Sequence, residues 1–362
     1  MSIPERLEGH RTLRGKGVRV GFVDVGFYPH PDLMRPNRRI IAYADATRDD
    51  PVKDDFFVAQ VFAWHGTMTA CAATGNGYLS GGRYRGLASE AEVVLIKAGV
   101  EGGRVLGKHV AHAIRFPLRH PQLGIRVLNV SLGTPQGDPD RGDVERAVAE
   151  VVASGVTVVA AAGNVPGQVP GPPGSAPEAI TVGGGNDKGT SDPGDDSPWP
   201  SSYGTPHPGV DKPDLLAPAI WVPAPMLPGT ITAREAAPLF QLLSVLEEAS
   251  VEHGFSETRQ GSTAEERASI QAITEAVAAR ITRQKYISPD YQHVDGTSFA
   301  SPITAAVAAQ MLEADPTLTP ALIKDGLMAT AEPLANVPRA MQGAGVLRPK
   351  LAAEWALARV KR

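Results

Sequence analysis

The sequence predicts an α/β fold, with a parallel sheet covered by helices on both faces. Two observations predict it. Short runs rich in β-branched residues alternate with stretches of helical spacing. Those runs are apolar throughout, the pattern of strands buried on both sides. A third observation concerns placement: Asp24, Ser131-Leu132-Gly133 and Gly163-Asn164 each follow such a run. Functional residues of open parallel sheets gather there, beyond the carboxyl ends of the strands.

Taken in order, residues 18–23 (Val-Arg-Val-Gly-Phe-Val) read as a buried strand that stops at Asp24. His65 opens His-Gly-Thr-Met-Thr-Ala, which continues as a helix of small residues. Residues 93–96 and 127–130 are two further strands. Residues 144–153 are helical, with apolar positions 144, 147, 148, 151 and 152 on one face. Residues 156–160 and 179–182 are the next strands. Residues 186–209 are rich in Pro, Gly, Asp and Ser and read as a surface loop, with Asp187, Asp192, Asp195 and Asp196 in a solvated turn whose spacing fits no EF-hand. Residues 230–285 read as helical and without a strand. One helix carries apolar positions 239, 242, 243 and 246 behind a Thr232-x-x-Glu235 capping box. The other carries 270, 273, 277 and 281 behind Thr263-x-x-Glu266. Together they predict an αα-hairpin. Finally, Gly296-Thr-Ser298-Phe-Ala-Ser-Pro302 runs into an apolar stretch to residue 311, a helix start with a glycine turn before it.

With 362 residues, 42% of them hydrophobic and 20% charged, the chain can bury a large core. A formal net charge of −4 and the lack of a Lys/Arg block exclude a basic footprint for nucleic acid or an anionic membrane. Its apolar runs fall short of the ~20 residues of a membrane span. The N-terminus has no apolar signal core, and Cys71 is the single cysteine, so no internal disulfide forms. Both features lead us to expect a cytoplasmic protein. No cationic residue flanks Cys71, which therefore reads as a packing thiol.

Acyl transfer needs a hydroxyl nucleophile, a base of near-neutral pKa, a carboxylate that orients the base, and a donor for the oxyanion. Ser298, His65, Asp24 and Asn164 supply these four types, each at a loop or helix start. Singly they are weak signals: Asp-x-Gly is usually a turn, His before Gly-Thr a helix cap, Asn after Gly a turn residue. A negative charge developing beside Ser298 would meet a helix N-terminus, whose dipole favours it. The remaining histidines show no metal-ligand spacing.

Around these residues lie His30-Pro-Asp-Leu33, Val127-Leu-Asn-Val-Ser-Leu-Gly133, Val159-Ala-Ala-Ala-Gly-Asn164, Lys212-Pro-Asp-Leu-Leu-Ala-Pro218 and Gly343-Ala-Gly-Val-Leu347. In that order, with Asp, His and Ser in sequence, the chain resembles the subtilases, the subtilisin-like serine peptidases, over roughly residues 16 to 356. The resemblance implies one three-layer α/β domain over residues 1–362, with a mainly parallel sheet of about seven strands and residues 230–285 as an insertion. It implies Ser298 as nucleophile, His65 as general base and then acid, Asp24 as the orienting carboxylate, and Asn164 with the Ser298 N–H as oxyanion hole. Ser131, Leu132 and Gly133 would pair with an extended substrate, residues 99–103 would clasp its other side, and Ala162 and Gly163 would line the pocket for the side chain preceding the scissile bond. Val165 stands where some relatives carry an acidic residue, so no strong preference for Lys or Arg is expected there.

The resemblance implies no required cofactor. Asp32 matches a residue that ligates calcium in many subtilases, and Asn76 lies in the loop where further ligands usually come. That loop differs here in length and composition, which leaves a structural calcium open. Two departures stand out. Val25 replaces the usual Ser or Thr after the aspartate, so Asp24 must find another hydrogen-bond donor. Asp24 also lies too near Met1 for an N-terminal inhibitory prodomain, which points to regulated proteolysis inside the cell. The partners expected are a peptide or protein substrate and a regulatory protein in trans. The alternative reading is a silent subtilase fold that binds a peptide without cutting it. The insertion, by its place in the chain, is expected beside the leaving-group half of the groove, limiting access to Ser298.

Overall fold

The computed structural model describes residues 1–48, 59–134, 137–254 and 264–360. Strands β1 (Arg19–Asp24), β2 (Ile40–Asp45), β3 (Glu92–Lys97), β4 (Val127–Val130), β5 (Thr157–Ala161) and β6 (Ile180–Asn186) come first in the chain. After them lie β7 (Ser197–Pro198), β8 (Gly204–His207), β9 (Val210–Lys212), β10 (Leu215–Pro218), β11 (Val222–Pro225) and β12 (Tyr291–Val294). The main sheet runs β10-β6-β5-β4-β1-β3-β2, every neighbouring pair parallel, with β7 antiparallel on β6. This is the mainly parallel sheet of about seven strands that the sequence resemblance implies.

Short helices α1 (Ile3–Arg6) and α2 (Pro31–Met34) precede α3 (Trp64–Thr74), α4 (Gly107–Ile114), α5 (Phe116–Arg119) and α6 (Arg141–Ala153). Later come α7 (Ile231–Gly254), α8 (Ala264–Arg283), α9 (Thr297–Ala314), α10 (Pro320–Thr330), α11 (Arg339–Gln342) and α12 (Pro349–Val360). Helices α3 and α9 pack on one face of the sheet, with α12 against α9, and α4 with α6 on the other. The strands feed both layers by alternation: Val20 and Phe22 enter the core under α3 and α9, Val23 the core under α4 and α6. Because the strands are parallel, the ends of β1, β4 and β5 open on one edge, carrying Asp24, Ser131 and Asn164 to it.

Two expectations for residues 186–209 change on the structure. Residues 186–209 are not simply a loop: β7 and the β8–β9 hairpin are formed within and beside them. Asp187 and Asp196 are not solvated either. Asp187 is buried against the guanidinium of Arg6, whose Nε donates to it at 2.9 Å while Nη1 and Nη2 also donate to the Trp221 and Ile220 carbonyls. Asp196 pairs with Arg348 at 2.6 Å. Charged side chains reaching from distant parts of the chain override the local polarity that suggested a turn.

The two long helices α7 and α8 form the expected pair, yet the details differ. The hydroxyl that caps α7 is Thr230, accepting from the Ala233 N–H at 3.3 Å, while Thr232 is inside the helix. Thr263, the other proposed cap, lies outside the described residues. Leu239, Leu243 and Leu246 pack against the main core, as do Val277 and Ile281, but Leu242 and Ile273 are exposed. Ala236 is fully buried. The hairpin therefore leans on the body of the molecule as well as on itself. It is carried by the antiparallel ribbon β11–β12, at the end where Pro225 faces Tyr291; the other end, Val222 facing Val294, leads to Gly296 and Ser298.

Candidate active site

Asp24 ends β1 and is fully buried, its carboxylate surrounded by donors. Its Oδ1 accepts from its neighbour's backbone, Val25 N–H at 2.7 Å. His65, in the first turn of α3, places Nδ1 at 2.8 and 3.0 Å from the two carboxylate oxygens. An imidazole nitrogen facing a carboxylate carries the proton, so Nδ1–H donates and Nε2 is the free basic atom. Thr69, one helical turn beyond His65, places its hydroxyl 3.2 Å from Asp24 Oδ2 and 2.9 Å from the Gly66 carbonyl. Asp24 thus finds without Val25's side chain the donor that the sequence left open. Gly66 is required by space: a Cβ there would lie 2.3 Å from the Gly26 carbonyl oxygen and 2.8 Å from Asp24 Cβ, so only glycine lets α3 approach the end of β1.

Burial disfavours protonation of His65, but the Asp24 charge and its hydrogen bond outweigh that and hold the imidazole above its ordinary value. Cys71, on the same helix, is a free, fully buried thiol that burial pushes up, as a packing residue should be.

Ser298 stands in the first turn of α9, behind Gly296 at φ +129°. A Cβ on Gly296 would sit 3.2 Å from Asn164 Nδ2, so the turn and the amide share the same space. Asn164 Oδ1 accepts from both the N–H (2.9 Å) and the hydroxyl (2.8 Å) of Thr297, and that hydroxyl accepts from Gly163 N–H at 3.1 Å. This closed arrangement fixes the carboxamide and leaves its NH₂ end as a donor beside the unpaired N–H groups of the first turn of α9. The Ser298 hydroxyl donates to the Ser131 carbonyl at 3.2 Å. His65 stands alongside, its ring 5.8 Å from that of Phe299.

Pro302 explains one further link. It lacks the N–H that would bond the Ser298 carbonyl four residues earlier. Ser131 Oγ donates to that carbonyl instead, at 2.8 Å. Asn129 donates in turn to Ser131 Oγ at 2.8 Å and accepts from Ser301 at 2.7 Å, all below the surface. The seat of Ser298 is thereby tied to β4.

Ser298 and Asn164 open onto a pocket of ≈ 270 Å³ lined also by Leu132, Gly133, Ala162 and Gly163. No described residue of α7 or α8 lines it. Residues 99–103 close on themselves, Val100 N–H bonding the Arg104 carbonyl at 2.9 Å next to the Gly99–Val105 bridge.

The model of the subtilase family matches residues 15–345. This chain belongs to the subtilase family. It is 30% identical over 358 residues to serine protease AprX of Bacillus subtilis, covering 95% of this chain and 67% of AprX. It is 31% identical to the major intracellular serine protease of the same organism over 42% of this chain and 45% of that protein. A solved protease from Pseudoalteromonas arctica shares the fold at a TM-score of 0.61 and 19% identity, covering 98% of this chain and 94% of that one.

The subtilase resemblance raised a calcium at Asp32, and the residues present do not fit one. Asp32 Oδ2 accepts the Tyr291 hydroxyl at 2.7 Å and Oδ1 the Leu79 N–H at 3.3 Å, while Asn76 Oδ1 accepts from Tyr78 N–H and its amide donates to the Arg35 carbonyl. Donors occupy the positions where a cation needs acceptors. Burial pushes the Asp32 carboxyl up, opposed by these hydrogen bonds.

Sequence reasoning missed Thr69, Thr297 and Asn129. The His65-x-x-x-Thr69 spacing on a helix was a usable signal for the first. For the other two, only the fold reveals the partner.

Proposed function

We propose that this chain is a serine endopeptidase that cuts extended peptide segments through an acyl-enzyme. The observation that carries the reading is the Asp24–His65 pair, held beside a helix start where Ser298 and the locked amide of Asn164 meet. In this mechanism Ser298 Oγ turns from the Ser131 carbonyl to His65 Nε2 and gives up its proton as it attacks the peptide carbonyl. Asp24 keeps the imidazolium in place, and Asn164 Nδ2 with the Ser298 N–H receives the developing oxyanion. His65 then protonates the leaving amine and, in the second half, activates the water that releases the acyl group. Leu132 and Gly133, beside Ser131, pair with the substrate backbone, and Ala162 and Gly163 flank the side chain before the scissile bond.

The setting proposed is limited or regulated proteolysis inside the cell, with a regulatory protein in trans. Its supports are the reduced, buried Cys71 and the likeness to relatives named intracellular serine proteases. No described helix is long and apolar enough to cross a membrane.

One observation favours a second reading, a peptide-binding module: the Ser298 hydroxyl is engaged by Ser131 instead of His65. Fluorophosphonate labelling and peptide hydrolysis separate the two. We expect labelling and turnover, both abolished in Ser298→Ala, and a kcat in Asn164→Ala lower by roughly 10²–10³-fold, a magnitude carried over from a subtilisin lacking the corresponding donor. A folded native chain that neither labels nor cuts would leave only the binding module.

A further inference from the structure

Arg141 is the one charged side chain among the described residues lining the pocket beside Ser298. It is the first residue of α6, where a cation gains nothing from the helix dipole. Its guanidinium lies over the backbone of Gly171, also in the pocket wall: a Cβ on Gly171 would stand 3.3 Å from Nη1 and 3.4 Å from Nη2. Arg141 is half-buried, and no described carboxylate pairs with it.

The described carboxylates nearest to it in the chain are engaged elsewhere. Glu145, one turn along α6, takes the Ser175 hydroxyl and His207 Nε2. Asp138 accepts the N–H groups of Gly107 and Asp140, both at 2.9 Å, and Asp140 accepts that of Lys108 at 3.1 Å. The other described residues of the wall are neutral, and ≈ 270 Å³ suits one side chain and not a larger ligand. A guanidinium fork without a carboxylate, in a pocket of that size, recognises a carboxylate brought by the substrate.

Resting on the peptidase reading, we propose that Arg141 selects an acidic residue, Glu or Asp, immediately before the scissile bond. The chemistry of the cut is unchanged; the added interaction holds the acyl half of the substrate in register. Glutamine, of equal size but uncharged, loses the charge-assisted hydrogen bonds, and lysine places a cation against a cation.

The test uses four blocked peptide anilides that differ only at that residue: Glu, Gln, Leu or Lys. For the full chain kcat/KM is expected to favour Glu over Gln by about tenfold or more. Arg141→Met should bring that ratio close to one, Arg141→Lys should keep part of it, and Arg141→Glu should shift preference to the Lys peptide. Fluorophosphonate labelling of each variant reports whether its site is assembled. A Glu/Gln ratio near one in a native chain that labels and cuts the Leu peptide overturns the role of Arg141 while the peptidase reading stands. A native ratio that persists in labelled Arg141→Met overturns it equally. Failure to label and to cut any of the four peptides overturns both.

Discussion

Asp24 shows how a single backbone position can be compensated from elsewhere. Val25 offers no hydroxyl, yet its N–H and the Thr69 side chain both face the carboxylate that holds His65. The consequence can be read in pH. In the proposed mechanism His65 must be neutral to accept the Ser298 proton, and Asp24 raises its pKa above 6.5 against the opposing effect of burial. Activity should therefore disappear as pH falls through a value above 6.5. The stabilisation that the imidazolium gives the fold has the opposite course: present below 6.5, lost as pH rises through the raised value. Replacing Thr69 by Val removes a donor from Asp24, leaves more charge on the carboxylate, and should move the acid limb of kcat/KM further up while lowering kcat severalfold. A Thr69→Val profile superimposable on the native one would reduce Thr69 to packing. The four residues that the proposed chemistry uses stood out in the sequence as candidates because reaction roles restrict residue types. Thr69, Thr297 and Arg141 did not, since a threonine in a small-residue helix or an arginine at a helix start has many bland uses until its neighbours are known.

At the scale of elements, legibility followed apolar density. Strands β1, β3, β4, β5 and β6 were visible as β-branched runs. Strand β2 (Ile-Ile-Ala-Tyr-Ala-Asp) dilutes its signal with alanine, and β10 is four residues long and ends in Pro218. The helical pair α7–α8 was visible from its periodicity, but the faces it buries depend on the core it leans against, which no local pattern contains. This division yields a stability prediction. In the outer part, residues 247, 248 and 265–269 are exposed, whereas Ala236, Val277 and Ile281 are buried. Replacing residues 247–269 with a short Gly/Ser linker should leave the melting temperature within a few degrees. Replacing all of 230–285 should lower it sharply, since each aliphatic side chain withdrawn from a core forfeits about 1.5–3 kcal/mol. Equal melting temperatures for the full deletion and the native chain would show that the hairpin stands apart from the core.

Across the whole molecule, ionic contacts between residues far apart in the chain join parts that the sheet does not. Lys324 meets Asp214 at 3.0 Å from a distant helix, and the completely buried Lys212, two residues before Asp214, donates to the same carboxylate and to the Ala179 carbonyl. Arg6 reaches Asp187 across 181 positions of sequence and fastens the first helical turn to the body. Neither partner was legible beforehand, because such pairs leave no periodic trace. Arg6→Ala leaves the buried Asp187 charge unmatched and should cost about 3–5 kcal/mol, measured by denaturant unfolding. A loss below about 1 kcal/mol would mean that the local structure relaxes to admit water.

An enzyme that, as proposed, cuts extended segments is surrounded by copies of itself, and any segment that unwinds is on offer. A segment is cut only after it leaves its packing and straightens into a groove. Residues 3–6 form a helical turn whose Ile3 and Arg6 are buried, and Leu7 beyond it is buried as well. On the proposed reading, the fastening at Arg6 keeps residues 3–6 wound, a form that a peptidase of extended segments does not cut. Incubated at high concentration, Arg6→Ala should shed its first residues as active protein accumulates, while the native chain keeps its mass.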